Sequence, residues 1–561
     1  MPLMGSLYIG QSGLQTSQNA LNTTAHNMSN ADTVGYVRQQ VLLGTRIYNT
    51  IKVDFEAVSN QQIGLGVEYS KTRQVRDYFL DKTYRQELGR QEFYTVSRDA
   101  LEEVEFLLDE MNGETFQSSL DNLWVAVQEL AKDPSSAVTQ GLLIERCSEF
   151  LERADSIYEG LKDYQSNLNQ TVKNKVDTIN EHAKQIKVLN DQIRMIEVAG
   201  FEEANDLRDA RNQLVDELAG MANITYSEDN EGNICIQLEG EDLVKRDVVY
   251  EIGLDVDPET GFYTPFWIHN APFTVNSDNQ RVYNIENAKV FDMEQIISSD
   301  INTDVGSLKS TLIARGDHVA NYTDLQEGRY KNSISQSVIM NVQAEFDQLI
   351  HNIATTMNKI LADAADAAYA AGDTTYLRDA NGNPIQIFQK IATAAYDANG
   401  RFITEGYDEE GNFIEEEFIS ANWYTIDNMK INQTLMQQPT LLGFVREDGS
   451  VDFDTMTKMK EAFMAEDSTL NPHVKKYSSF VDYYGDLIAQ VANSGSVYES
   501  ILTNQQETVD STFAAREQII GVSSDEELTN MVKFQNAYNA SSRYINVIDE
   551  MLEHILNTLG S

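Results

Sequence analysis

Residues that could carry chemistry are few and widely spaced in this chain. Of the seven histidines, four fall inside helical patterns: His26, His182, His351 and His554. No H-E-x-x-H zinc motif, paired C-x-x-C motif or P-loop occurs. Gly64 and Gly66 form a G-x-G without a third glycine or a following helix, which argues against a dinucleotide site. The sequence therefore predicts no catalytic residue, no cofactor and no metal ligand.

Carboxylates dominate the titratable side chains, but their number alone does not indicate acid–base catalysis. The chain has 88 acidic and 42 basic residues, and its formal net charge is −46. Such a charge repels the phosphates of nucleic acids and anionic membrane surfaces, so we expect neither as a partner. No apolar run approaches the roughly 18 residues that a membrane helix requires. We therefore expect no membrane insertion.

Acidic residues also recur in four short segments that end in glycine: 229–232, 379–382, 397–400 and 408–411. An EF-hand calcium loop needs acidic ligands at fixed alternate positions, a central glycine and a closing glutamate, and none of the four segments provides this set. A leading Asp with a glycine at the end is typical of a type I turn that closes a hairpin. We interpret the four segments as structural turns.

Only two cysteines occur, Cys147 in a helical pattern and Cys235 in a strand pattern. A disulfide between them is possible, but two buried thiols are the favoured interpretation. The N-terminus lacks the basic, then apolar, then small-residue order of a cleavable secretory signal.

The elements that organise the chain are helices at its two ends. From Gly521 to Ser561, apolar residues repeat every seven positions in two rows, a pattern typical of a coiled-coil seam. The first row contains Met531, Tyr538, Ile545, Leu552 and Leu559; the second contains Phe534, Ser541, Ile548 and Ile555. Ser523 and Ser524, each followed three residues later by glutamate, predict the start of this helix.

A matching row occurs at the N-terminus. It contains Leu7, Leu14, Leu21 and Met28, with the small residues Gly10, Ser17 and Thr24 between them. Each end thus carries one apolar stripe that must be covered. We predict that the two helices pair with each other and with further copies of the chain. The predicted assembly interface is Leu7, Leu14, Leu21, Met28, Met531, Phe534, Tyr538, Ile545, Ile548, Leu552, Ile555 and Leu559.

Between the ends, the pattern predicts a mainly α fold with β insertions. An amphipathic stretch from Pro134 to about Val198 predicts one helix of roughly 90 Å, which suits an elongated multi-domain protein. The period changes to two between Asn223 and about Val290, which predicts a small β domain. We divide the chain into these segments: 1–60, N-terminal helix and extended segment; 61–222, 305–371 and 474–520, a long helical body; 223–304, β domain; 372–473, variable insertion domain with hairpins; 521–561, C-terminal helix.

The ends also resemble a known family. Ser6–Leu14 and Ala20–Gln40 resemble the opening signature of flagellar axial proteins, and Asp525–Asn557 resembles their closing signature. Rod, hook and hook-associated proteins share both signatures. Leu123–Ser136 and Arg211–Ala219 resemble the hook-associated branch, whereas hook and rod proteins pass from the N-terminal helix into β-rich domains.

This resemblance implies a structural part of the bacterial flagellum at the junction between hook and filament, and not an enzyme. It implies self-assembly, contacts with the hook protein and with a second junction protein, and an export chaperone for the C-terminal helix. It also implies an extracellular location reached by type III export without a cleavable signal. A hook or rod protein is the alternative. A remote alternative is a hydrolase in the insertion, where no histidine lies near carboxylates at metal-ligand spacing.

Overall fold

The computed structural model describes residues 2–54, 59–109, 115–200, 202–258, 260–275, 281–326, 330, 332–391 and 423–559. Long helices with small antiparallel sheets between them make up this part of the chain, as the predicted fold class requires. The helices are α1 Pro2–Ser29, α2 Tyr78–Asp109, α3 Phe116–Lys132, α4 Ala137–Glu197, α5 Asn205–Met221, α6 Ser307–Arg315, α7 Asn332–Gln336, α8 Val338–Ala370, α9 Gln433–Gln437, α10 Phe453–Met464, α11 Phe480–Ile520 and α12 Ser524–Leu559. None of these helices is both long and apolar enough to cross a bilayer.

The strands of the described residues form two-stranded antiparallel sheets and one four-stranded sheet. They are β1 Gln39–Thr45, β2 Asn49–Asp54, β3 Ser59–Ile63, β4 Val67–Gln74, β5 Ile224–Glu228, β6 Ile234–Leu238, β7 Glu241–Lys245, β8 Val248–Val249, β9 Ile252–Val256, β10 Tyr263–Trp267, β11 Phe273–Val275, β12 Arg281–Tyr283, β13 Phe388–Lys390 and β14 Met429–Ile431. The four-stranded sheet has the order β5-β6-β7-β8, and β1 pairs with β4 across the β2–β3 hairpin.

The long amphipathic stretch forms one helix, α4, as predicted. Ser136 caps its N-terminus by accepting a hydrogen bond from the backbone N–H of Val138. Its 61 residues span about 90 Å. The buried positions of α4 face the core of the helical body in its first half and the β domain in its second half. One helix thus connects two hydrophobic cores.

The core of the helical body is formed by α2, α3, α4, α8 and α11. Aromatic rings meet at its centre, where the ring of Phe116 lies 4.6 Å from that of Tyr484 and 5.0 Å from that of Phe346. The hydroxyl of Tyr484 donates a 2.6 Å hydrogen bond to the carbonyl of Leu108. Residues far apart in the sequence therefore share one core.

The helical pattern from about Tyr330 to Ala371 predicts one helix, but the structure divides it at Ser337 into α7 and α8. The Ser337 hydroxyl accepts a hydrogen bond from the backbone N–H of Met340 and donates one to the carbonyl of Ala314. A buried serine that caps one helix and ties it to another favours a new helix start over a continuous helix.

The alternating pattern across 248–252 predicts one strand, but the structure divides it into β8 and β9. The amide of Asn180 on α4 bonds both the N–H and the carbonyl of Ile252 at 2.9 Å. These hydrogen bonds from α4 hold the backbone at Ile252, where the β9–β10 pair begins.

The described part of 372–473 does not form the separate insertion domain that the sequence predicts. Phe463 of α10 stacks on Trp124 of α3, with 5.7 Å between ring centroids. Asn358 of α8 donates to the carbonyl of Phe388 and accepts from the backbone N–H of Ile387. Apolar residues of β13, β14 and α10 belong to the same core as the helical body. Burial of these apolar side chains against α3, α4 and α8 explains the difference.

Two of the four predicted turns are observed. Gly232 and Gly382 both have φ of +84°. Asp229 and Asp379 accept hydrogen bonds from the backbone N–H groups of the following turn residues. The segments 397–400 and 408–411 lie outside the described residues.

Both cysteines are free thiols, so the disulfide alternative is excluded here. Cys147 is fully buried, and burial raises the pKa of its thiol. Cys235 is half-buried rather than buried as predicted, because it lies on the less covered side of β6.

Candidate assembly surface

The two terminal helices, α1 and α12, pack along each other. A Cβ atom on Gly10 would lie 2.7 Å from Cγ1 of Ile545, and one on Gly13 would lie 2.7 Å from Oγ of Ser541. Only glycine permits so close an approach of the two backbones at these positions. The small residues in the N-terminal row therefore set the spacing of the pair.

The seam predicted on α12 faces α1. Ile548 at its centre is 4% exposed. Five further seam residues are half-buried: Met531, Phe534, Tyr538, Ile545 and Leu552. Ile555 is 37% exposed, and the side chain of Leu559 lies outside the described residues. The N-terminal row is half-buried as well: Leu7, Leu14, Leu21 and Met28.

α1 has a second buried face, which sequence reasoning missed. This face packs on β1 and β4 and contains Ser12, Thr16, Ala20 and Asn27. The hydroxyl of Ser12 accepts a hydrogen bond from the backbone N–H of Val67. Small and polar residues gave no apolar pattern to detect, although their low volume is what lets the β1–β4 hairpin approach the helix.

Apolar residues beside the seam of α12, together with Ile555 at its C-terminal end, are left partly exposed by the described residues. We define the outer stripe as Tyr544, Val547, Met551 and Ile555, which are three or four residues apart. They are 40%, 45%, 49% and 37% exposed, respectively. Their spacing places them on one side of α12, next to the seam. The helix pair thus presents a continuous apolar surface to its surroundings.

The loop after α1 is fixed by the side chain of Asn27. Its carbonyl oxygen accepts from the hydroxyl of Tyr36 at 2.7 Å and from the backbone N–H of Gln39 at 3.0 Å. Its amide donates to the carbonyl of Gln39 at 2.9 Å. Gly35 has φ of +80°, which turns the chain toward β1.

Arg38 ties this loop to the start of α12. Its guanidinium forms ion pairs with Glu527 at 2.9 Å and Glu526 at 3.0 Å. Its backbone N–H donates to the carbonyl of Ile520 at the end of α11. The two ends of the chain therefore meet at one arginine.

Arg516 holds the end of α11 to the helical body. Its guanidinium lies 2.8 Å from Asp81 of α2 and 2.8 Å from Asp216 of α5. Arg85 pairs with Asp216 at 2.6 Å, and Arg76 pairs with Asp81 at 3.0 Å. Burial raises the pKa of Asp81, but hydrogen bonds from Arg76 and the nearby arginine charges outweigh burial and lower it. This network connects the pair of terminal helices to the helical body. We call it the joint; its ion pairs involve Arg76, Asp81, Arg85, Asp216 and Arg516.

Asp209 of α5 completes the joint. Its carboxylate accepts from the backbone N–H of Val37 at 3.2 Å and from the amide of Gln74 at 2.6 Å. Burial raises its pKa to about 7, although these hydrogen bonds and the charge of Arg76 act in the opposite direction. The contacts of the joint were not predicted, because buried ion pairs and hydrogen bonds between distant segments leave no periodic signal.

One acidic group outside the joint has the geometry of a possible cation site. Asp155, Glu159 and Asp427 place carboxylate oxygens within 4.8 Å of one another, and all three are exposed. The ammonium of Lys162 lies 2.7 Å from Glu159 and 3.2 Å from Asp427. The lysine supplies the positive charge that these carboxylates need.

Comparison with known proteins matches both the body and the ends. The model of the "Flagellar hook-associated protein FlgK helical domain" family matches residues 101–375. Flagellar hook-associated protein 1 of Bacillus subtilis is 25% identical over 98% of this chain and 96% of its own length. The chain is a homologue of flagellar hook-associated protein 1. The proteins of that name from Salmonella typhimurium and Escherichia coli are 22% and 20% identical, each over 97% of this chain and 98% of its own length.

Two further family models match the terminal helices of this hook-associated protein 1 homologue. The "Flagella basal body rod protein" model matches residues 7–36, and the "Flagellar basal body rod FlgEFG protein C-terminal" model matches 519–558. These ranges cover α1 with its loop and α12. The resemblance of the two ends to flagellar axial proteins is therefore confirmed. The match of the helical body to the FlgK family model distinguishes the hook-associated branch from hook and rod proteins.

A solved structure supports the fold. The flagellar hook junction protein FlgK from Burkholderia pseudomallei matches with a TM-score of 0.51 over 80% of this chain and all of its own chain. The sequences are 11% identical, so this likeness concerns the fold alone.

Proposed function

We propose that this protein is a structural component of the bacterial flagellum that forms the junction between hook and filament. Full-length similarity to hook-associated protein 1 from three genera supports the proposal. The paired terminal helices supply the means of assembly. The role is mechanical and requires no cofactor.

The observation that supports assembly most directly is the outer stripe. α1 already covers the seam of α12 within one chain, so the seam residues build the helix pair itself. The outer stripe is apolar, exposed and continuous with the seam. Since a second apolar side on a two-helix pair is buried by a further helix, we assign this surface to contacts with neighbouring copies.

Repetition of such a contact around an axis gives a ring or a helical assembly, in which each subunit uses two different surfaces. The partners that follow from the proposal are further copies of the chain, the hook protein, a second junction protein and an export chaperone that covers α12 before assembly. The protein acts outside the cell and reaches the flagellum through the flagellar export channel.

The test compares two substitutions on opposite sides of α12. Val547→Asp places a charge on the outer stripe, where the side chain is 45% exposed in the isolated chain. Its purified form should keep a melting temperature close to that of the wild type, because little intrachain packing is lost. Cells that produce only this variant should fail to build filaments and should not swim, because each contact between copies would then bury an unpaired carboxylate.

Glu553→Lys is the matched control, because Glu553 is exposed and lies outside both the seam and the outer stripe. Cells that produce only the control should swim. Normal filaments and motility with Val547→Asp would refute the assignment of the outer stripe.

A further inference from the structure

A cavity of about 520 Å³ lies between the β domain and the helical body, far along the chain from the terminal helices. The β domain contributes Pro265 of β10 and the segment from Lys289 to Glu294. The body contributes α6 and the segment that follows it. Buried apolar side chains form part of the wall: Phe291, Leu312 and Ile313.

Arg315, the last residue of α6, lies in this wall and is 3% exposed. Its Nε donates to the carbonyl of Gly316, and its Nη1 donates to Oδ1 of Asn169 and to the carbonyl of Tyr263. Nη2 makes no hydrogen bond with any described residue and is the part of the group left to face the cavity. No carboxylate among the described residues lies within ion-pair distance of this guanidinium, but the charge of Asp317 acts on it and the ring of Phe262 lies 4.8 Å from its central carbon.

This arrangement differs from that of two other buried arginines, whereas a third, Arg211, lies 3.5 Å from Glu228. Arg85 and Arg516 each pair with at least one carboxylate at less than 3 Å. Burial lowers the pKa of Arg315 to about 10, which leaves the group charged at neutral pH. An unpaired buried guanidinium is conspicuous in a chain with 88 acidic and 42 basic residues.

A second cation faces the same space. Lys289 lines the cavity, is exposed and forms no ion pair with a described residue. The charge of His318 is already balanced, because its ring nitrogens lie 2.7 Å from Asp317 and 3.2 Å from Asp324. Arg315 and Lys289 are therefore the two cations of the wall that form no ion pair with a described residue.

Acidic residues in the wall limit the negative charge of a ligand that the cavity can bind. Four acidic residues line the cavity: Asp292 and Glu294, which are exposed, and Asp317 and Asp324, which pair with His318. Their charges disfavour a multiply charged phosphate, whereas a single carboxylate can meet the guanidinium deeper in the wall. The apolar wall favours a carboxylate on a short hydrocarbon stem.

We propose that this cavity binds a single carboxylate on an apolar stem, with Arg315 as its anchor and Lys289 as a second cation. The free edge of the guanidinium donates to the carboxylate oxygen, a charge-assisted hydrogen bond. The carboxylate belongs to an acidic side chain of a neighbouring copy or to a small free acid. The proposal does not depend on the role of the terminal helices.

The first experiment is a saturation-transfer NMR titration of the purified protein with butyrate, and butyramide serves as the neutral probe of the same shape. We expect saturable binding of butyrate only. Arg315→Lys keeps the positive charge but removes the paired N–H donors of the guanidinium. This variant and Lys289→Met should each weaken binding by about tenfold, the effect of one charged hydrogen bond. Lys430→Met, at an exposed lysine elsewhere, should leave binding unchanged.

Sedimentation velocity of the wild type and of Lys289→Glu distinguishes the two sources. Weaker self-association in Lys289→Glu, and in the wild type with butyrate, identifies the carboxylate of a neighbouring copy. Butyrate binding without any effect on self-association identifies a small free acid. If butyrate does not bind and self-association is unchanged, or if both cavity variants bind butyrate like the wild type, the proposal is wrong. Lys289 is exposed, so its variants remain informative where Arg315→Lys does not fold.

Discussion

Replacement of Ile548 by aspartate should separate the terminal helices of the isolated protein. Ile548 is 4% exposed in the seam between α1 and α12. Loss of a buried isoleucine removes about 1.5–3 kcal/mol. A carboxylate in the same place adds several kcal/mol unless it takes up a proton. A total of about 4 kcal/mol or more is a large part of the roughly 5–15 kcal/mol that stabilises a typical domain.

Amide hydrogen exchange measures this cost where it arises. A loss of about 4 kcal/mol accelerates exchange that proceeds through opening of the pair about a thousandfold. Peptides from α1 and α12 should lose protection in Ile548→Asp, whereas peptides from the helical body should keep it. The body should keep its protection because its core contains neither terminal helix.

Asn546→Asp is the matched control, since it adds the same charge two residues away on an exposed position of α12. Its exchange should equal that of the wild type. If Ile548→Asp and Asn546→Asp show the same protection along α12, the seam does not hold the helix pair together.

Three further predictions concern the pair and the joint. Gly10→Leu should open the pair, whereas Gly5→Leu should not, because open space surrounds Gly5; circular dichroism melting of both variants checks this. Arg516→Gln leaves two buried carboxylates with fewer partners and should cost about 3–5 kcal/mol, measured by urea unfolding against the exposed control Arg543→Gln. The pKa of Asp209, raised from 3.8 to about 7, means that its contribution to stability falls as pH rises across that window. The melting temperature of the wild type relative to Asp209→Asn should therefore fall as pH rises through 7, and a constant difference would contradict the raised pKa.

The sequence allowed the prediction of elements whose signal is periodic. The single helix α4 and the seam of α12 follow from apolar spacing, because a helix covered on one side repeats its apolar residues every three or four positions. The turns at 229–232 and 379–382 follow from local residue types, because glycine supplies the positive φ that a closing turn needs.

The joint could not be predicted in this way. Arg516 and Asp216 are 300 residues apart, and their contact depends on how α5 and α11 meet in space. Asn27 and Arg38 belong to the N-terminal signature, so the resemblance marked them without giving a role. The packing of 372–473 on the body was missed for a similar reason, since Phe463 meets Trp124 only after the helices have assembled.

Crosslinking of assembled flagella tests the central claim most directly. Val547→Cys and Met551→Cys place thiols on the outer stripe, and Glu553→Cys places one on the opposite side of the helix. Brief oxidation of intact flagella should give crosslinked dimers and higher forms of this protein from the two outer-stripe variants, and only monomer from Glu553→Cys. Crosslinks from Glu553→Cys alone, or none from the outer stripe, would contradict the account of how copies join.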